Sequence, residues 1–125
     1  VPDVHIVADG IPFWLELKVA KSNKVNISPH QVAWNMAYWA RGGANFFLVK
    51  APSIKQIILF DADQGPRLVS HGLIGAEGQS FSNVKSMLEA LRPHAARILD
   101  RNHALRPHAR LSPREATEER GSRAY

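Results

Sequence analysis

The chain has 125 residues, is 45% hydrophobic, and carries a formal charge of +5 with a sequence pI near 10.0; that is enough for one domain with a modest core and suits a polyanionic partner. It has no cysteine, which excludes disulfides, thiolate metal sites and cysteine nucleophiles and is compatible with a reducing cytoplasm. No apolar run approaches membrane-spanning length and no signal peptide is visible, so no membrane partner is expected.

In chain order, the first predicted unit is a hairpin. Val4 to Ala8 is apolar and rich in β-branched residues, Phe13 to Val19 alternates, and Asp9-Gly10 between them is a strong two-residue turn signal. With Asp9 and Gly10 as the loop, residue 8 pairs with 11 and Asp3 falls opposite Glu16. Side chains alternate faces along a strand. One face then carries Asp3, His5, Trp14, Glu16 and Lys18, and the other a continuous apolar surface of Val4, Ile6, Phe13, Leu15, Leu17 and Val19. Pro12 lacks a ladder donor, so a bulge near the turn is the one expected threat to this register.

Two carboxylates facing each other across neighbouring strands repel, and a divalent cation between them turns that repulsion into binding. Mg²⁺ suits such a pair because it takes hard oxygen ligands and keeps several waters. A metal-bound water is easier to deprotonate and is held for attack on phosphorus. Lys18, two residues after Glu16 on the same face, is placed to orient that water or to stabilise charge on the phosphate. The plainer alternative is an amphipathic hairpin showing a surface Glu-x-Lys pair to solvent. The apolar flanks Phe13-Trp14-Leu15 and Leu17 argue against a solvated edge.

Residues 20–27 form a polar loop whose Lys21 and Lys24 are candidate phosphate contacts. Ser28-Pro29 reads as a helix start, N-cap then first turn, and Gly42-Gly43 as its stop. The spacing predicts one stripe of Val32, Met36 and Trp39 and another of Gln31, Trp34, Asn35 and Tyr38. Trp34, Tyr38 and Trp39 are read as core aromatics. Gln31, in the first turn, projects toward the preceding strand, where it can hydrogen-bond a phosphate or a metal-bound water. Residues 44–50 form a buried strand parallel to the Glu16 strand, as a strand–helix–strand crossover requires. Residues 54–60 form the next strand, 61–66 a turn, and 67–70 a short strand. Asp61 and Asp63 are assigned to turn chemistry rather than to a second metal site. Residues 70–82 read as loop. Ser82 caps a helix through Leu91, which Pro93 interrupts. From about Arg97 the pattern predicts a mobile basic tail, giving a domain over 1–96 and a tail over 97–125. Leu-Arg-Pro-His-Ala occurs at 91–95 and again at 105–109, and His94, His103 and His108 lack a convincing metal spacing.

Pro2-Asp3 followed by Glu16-Leu17-Lys18 on a hairpin resembles the signature of the PD-(D/E)XK nuclease superfamily. Ser28-x-x-Gln31-x-x-Trp34, then Gly43-Ala44 and Phe46-Phe47-Leu48-Val49, is similar to the helix and strand of its VRR-NUC (virus-type replication-repair nuclease) family. Phage Holliday-junction resolvases are related in plan. The resemblance spans residues 1–50, with fold-level support to 69. It implies an α/β fold, a restriction-endonuclease-like mixed sheet flanked by helices. It also implies a metal held by Asp3, Glu16 and the backbone carbonyl of Leu17, with Lys18 on the nucleophilic water and Gln31 as an accessory polar residue. Lys21, Lys24 and Ser28 are the expected DNA contacts. The implied cofactor is Mg²⁺, with Mn²⁺ able to substitute. The implied reaction is endonucleolytic hydrolysis of DNA, branched DNA included, in repair or recombination, in the cytoplasm of a bacterial or phage-infected cell.

One departure stands out. The family places a helix, usually bearing a further acidic residue, before the Pro-Asp pair, and this chain starts at Val1 without it. A true start upstream is expected, and the absent cover predicts exposed apolar surface and a homodimer. The competing expectation is a non-catalytic DNA-binding or assembly module derived from a truncated nuclease fold.

Overall fold

The computed structural model describes residues 2–104. A five-stranded mixed sheet runs in the spatial order β1-β2-β3-β4-β5, with strands at Val4–Ala8, Ile11–Val19, Asn45–Ala51, Gln56–Asp61 and Gln79–Phe81. The β2–β3 pair is parallel and the other three are antiparallel. The helices are α1 (Pro29–Ala40), α2 (Gly65–Gly75) and α3 (Val84–Ala104). This is an α/β fold of three layers.

The hairpin forms in the expected register, with Ala8 opposite Ile11 and Val4 opposite Leu15. Asp9 and Gly10 both have positive φ, 52° and 80°, the conformation a twisted two-residue hairpin needs. Pro12 causes no slip. It pairs with Val7 two residues before β2 meets β3 at Trp14–Asn45, so its missing N–H falls where β2 has only one neighbour.

Alternation then sorts the sheet into two cores. On one face Phe13, Leu15, Phe46 and Leu59 pack under Met87, Leu91, Ala95 and Ile98 of α3. On the other, Phe47, Val49, Ile58 and Phe60 pack with Leu68 of α2 and Val32 of α1. The apolar surface of the hairpin is less continuous in its cover than in its sequence: Leu17 is 45% and Val19 65% exposed, beyond the reach of α3.

α1 follows the sequence closely. Ser28 Oγ accepts from the N–H of Gln31, and the Gln31 side chain accepts from the N–H of Ser28, a reciprocal capping box with Pro29 in the first turn. Its aromatics divide differently from expectation. Trp39 packs against both cores. Trp34 and Tyr38 are only half-buried, and they stack on each other instead, with ring centroids 5.1 Å apart and planes 11° from parallel.

The region after β4 departs most. Residues 67–70 are not a strand and 70–82 are not a single loop. A 3-10 turn at Ala62–Gln64 leads into α2, which has Pro66 in its first turn. Pro66 begins a helix there because its missing N–H would lack a helical partner anyway. α2 breaks at Gly72, whose φ is 76° and ψ −163°. Asn23 fills the break: its backbone carbonyl accepts from Leu73 N (2.9 Å), its Oδ1 accepts from Ile74 N (2.8 Å), and its Nδ2 donates to the His71 carbonyl (2.9 Å). The cap of α3 is Asn83 rather than Ser82, its Oδ1 accepting from Ser86 N at 2.8 Å. Pro93 does not end that helix, which runs on to Ala104 with Ile98 buried. Residues 97–104 therefore belong to the folded unit and not to a mobile tail. The rest of the expected tail, including His108 and the second Leu-Arg-Pro-His-Ala, lies outside the described residues, as does the His103 side chain.

Among the described residues no helix is long and apolar enough to cross a membrane.

Candidate active site

Glu16 sits in the middle of β2 and is 1% exposed, one of three buried polar residues among the described residues. It is buried because its face of β2 is covered by α1, whose first turn the capping box fixes. That turn delivers Gln31. The Gln31 Nε2 donates to Glu16 Oε2 at 3.0 Å, and its Oε1 accepts from Lys18 Nζ at 2.8 Å and from Ser28 N at 3.1 Å. Two donors on one side and a carboxylate on the other leave the amide one orientation. Lys18 Nζ is thereby held 4.0 Å from Glu16 Oε2. The capping glutamine is thus also the bridge between the acid and the lysine.

Asp3 lies just before β1. Its Oδ2 accepts the backbone N–H of Leu17 at 2.8 Å, which ties it across to β2 beside Glu16. In an antiparallel pair the N–H and C=O of one residue point to the same neighbour. The Leu17 carbonyl therefore turns toward the same edge as Asp3, past the point where β1 begins.

Electrostatically the site is frustrated. Burial raises the pKa of Glu16 above its ordinary 4.5; the charge of the neighbouring Asp3 carboxylate raises it further, and Lys18 pulls it back. The second oxygen of Glu16, Oε1, is buried and has no hydrogen-bond partner. A buried acceptor left bare costs about 1–3 kcal/mol.

Asp3, Glu16, Lys18 and Gln31 are brought together as the sequence suggested. Lys21 and Lys24 are exposed and pair with each other across a tight turn. Asn23, inside that turn, locks it to the break in α2, so the two lysines stand on an anchored loop. Ser28 is committed to capping α1 through its hydroxyl. Among the described residues no three His, Cys, Asp or Glu side chains gather as a metal set.

Sequence reasoning missed a buried amide pair behind the site. Asn45, at the start of β3, donates from Nδ2 to Asn35 Oδ1 at 2.8 Å and to the Asn35 carbonyl at 3.0 Å. Asn35 in turn donates to the Gln31 carbonyl at 2.8 Å. This chain fixes the height of α1 on the sheet and hence the position of Gln31. The available signal was two fully apolar settings, each holding one asparagine, ten residues apart.

Asp61 and Asp63 are not part of this site. Asp61 Oδ1 bonds His94 Nε2 at 2.8 Å, joining β4 to α3. Asp63 has its pKa raised, by burial first and by Asp61 next. With Gln64 and Glu77 they line an open cleft of about 310 Å³.

No protein-family model, curated protein or solved structure matches the chain; its functional reading rests on its own geometry.

Proposed function

We propose that the chain is a Mg²⁺-dependent endodeoxyribonuclease of the PD-(D/E)XK kind, on a restriction-endonuclease-like sheet, acting on DNA of repair or recombination. One observation carries this reading. A fully buried glutamate with a partnerless oxygen lies beside a second carboxylate, and a lysine is fixed on the same face by a glutamine that contacts both. A surface ion pair would not be buried, and a buried carboxylate set beside a second one is destabilised by burial and by its neighbour's charge unless a cation joins them.

The donors present fit a small hard cation: the Asp3 and Glu16 carboxylates, with the Leu17 carbonyl aimed at the same edge and water completing the shell. Such an ion supplies Lewis-acid activation of water and of the phosphate. Asp3 and Glu16 hold it, and in doing so relieve their own repulsion. Lys18 orients the attacking water and balances charge growing on the phosphate oxygens. Gln31 keeps Lys18 from collapsing onto Glu16. Lys21 and Lys24 contact backbone phosphates on either side.

The test is cleavage of labelled single strand, duplex, flap and four-way junction in Mg²⁺, Mn²⁺ or EDTA. Cutting is expected with either metal and not in EDTA. Lys18→Ala is expected to lower the rate by about 10²–10³-fold, the range for removing one transition-state donor, with DNA binding little changed. Salt-sensitive binding with no metal-dependent cutting would replace this reading by that of a DNA-binding or assembly module.

A further inference from the structure

Beside the site runs a row of aromatic rings that neither core absorbs. His5 and Trp14, opposite each other on β1 and β2, have centroids 4.4 Å apart. Trp14 meets Trp34 of α1 edge-on at 6.2 Å. Trp34 stacks flat on Tyr38 at 5.1 Å. Trp14, Trp34 and Tyr38 are half-buried and His5 is exposed. None of the four belongs to either hydrophobic cluster, whereas Trp39, on the same helix, packs against both. Large rings bury area readily when a core is within reach; here four of them form a continuous strip of partly exposed residues.

The strip has a fixed relation to the candidate active site. Trp14, Glu16 and Lys18 are successive residues on one face of β2, so each step is roughly 7 Å. Trp34 follows Gln31 by one turn of α1. Along β2 the order is therefore aromatic strip, buried carboxylate, lysine, and then the anchored loop with Lys21 and Lys24. Cations at one end suit a phosphate backbone. Rings at the other suit the flat faces of bases, and only unpaired bases present those faces.

From this we infer that the strip of Trp14, Trp34 and Tyr38 is a stacking platform for unpaired bases next to the phosphate that Lys18 faces, so that the preferred substrate is single-stranded nucleic acid or a single-stranded flank. This rests on the nucleic-acid reading of the site and names its substrate class. Stacking on aromatic side chains tolerates any base sequence, so the platform selects for strandedness and not for sequence.

The test is binding in EDTA, where cleavage plays no part, followed by tryptophan fluorescence. A fluorescence quench is expected with an oligo-dT strand and not with a blunt duplex of equal length. Trp34→Leu with Tyr38→Leu is expected to weaken oligo-dT binding about tenfold and to leave duplex binding within about twofold. Trp34→Phe with Tyr38→Phe, which keeps both rings, should retain binding and guards against a folding defect. Equal quenching by strand and duplex, equal losses for both, or no loss in the leucine variant would each overturn the platform. Oligo-dT quenching in a protein that cuts nothing in Mg²⁺ would leave the platform standing and remove the nuclease. Metal-dependent cutting with no preference for unpaired bases would do the reverse.

Discussion

Glu16→Gln is expected to abolish metal-dependent cleavage and, without metal, to make the protein more heat-stable. The substitution removes a buried charge whose pKa is raised by burial and by Asp3. It also removes the like-charge contact with Asp3, while the remaining oxygen still accepts from Gln31 Nε2. The gain is on the order of 1 kcal/mol, the size of the ionisation cost that is removed, or roughly 4 °C in melting temperature for a chain of this length. The sign of its pH dependence follows from the raised pKa. Below the unfolded value of 4.5, wild-type Glu16 is protonated in both states and the two proteins should melt alike. As pH rises through the higher folded value, the wild type must bury a charge that the variant lacks, and the gap opens, reaching its full size above that value. Mg²⁺ should close the gap from the other side, stabilising the wild type and leaving Glu16→Gln unmoved. Thermal melts across pH 4 to 8, with and without Mg²⁺, read all three outcomes. A variant less stable than wild type at neutral pH would mean that Glu16 is structural.

Asn45→Asp should be the most damaging single-atom exchange in the domain. Asn45 is fully buried, and its Nδ2 is the donor to both oxygens of Asn35. A carboxylate there faces two acceptors and no cation. An uncompensated buried charge costs about 3–5 kcal/mol, a large part of the stability of an ordinary domain. The new carboxyl would have its pKa raised, so stability is retained below about pH 4 and lost as pH rises through the folded value. Denaturant unfolding at pH 4 and pH 7 measures the difference. Asn45→Asp as stable as wild type at pH 7 would show that the amide pair holds nothing in place.

Much of this was legible in the sequence because alternation and turn chemistry are local. Asp9-Gly10 and the period of Phe13 to Val19 set the hairpin, and the hairpin set Asp3 against Glu16. Ser28-Pro29 and Gly42-Gly43 bounded α1. The misses have a common cause, since Pro66, Gly72 and Pro93 are local breakers whose effect tertiary contacts decided. Pro66 opened a helix instead of a turn, Asn23 from fifty residues away satisfied the break at Gly72, and Met87, Leu91, Ala95 and Ile98 held α3 together through Pro93. The Asn35–Asn45 pair was illegible because nothing in a period of 2 or 3.6 says that two buried amides meet. Leu17 and Val19 followed the alternation and were still left uncovered, since the pattern tells which face a residue takes and not how far a helix reaches over it.

The bonds that assemble the site also say something about the order in which the chain can fold. Glu16 to Gln31 spans 15 residues and Lys18 to Gln31 spans 13, whereas His94 to Asp61 spans 33 and Asn102 to Gly42 spans 60. Short loops close at low entropic cost and early. The β1–β2–α1 stretch that carries the carboxylates, the lysine and the glutamine is therefore tied together by local contacts, whereas β3 joins β2 only across 31 residues, as Trp14 opposite Asn45 shows. α3 covers the opposite face of the sheet, so the contacts that join Glu16, Lys18 and Gln31 do not pass through it.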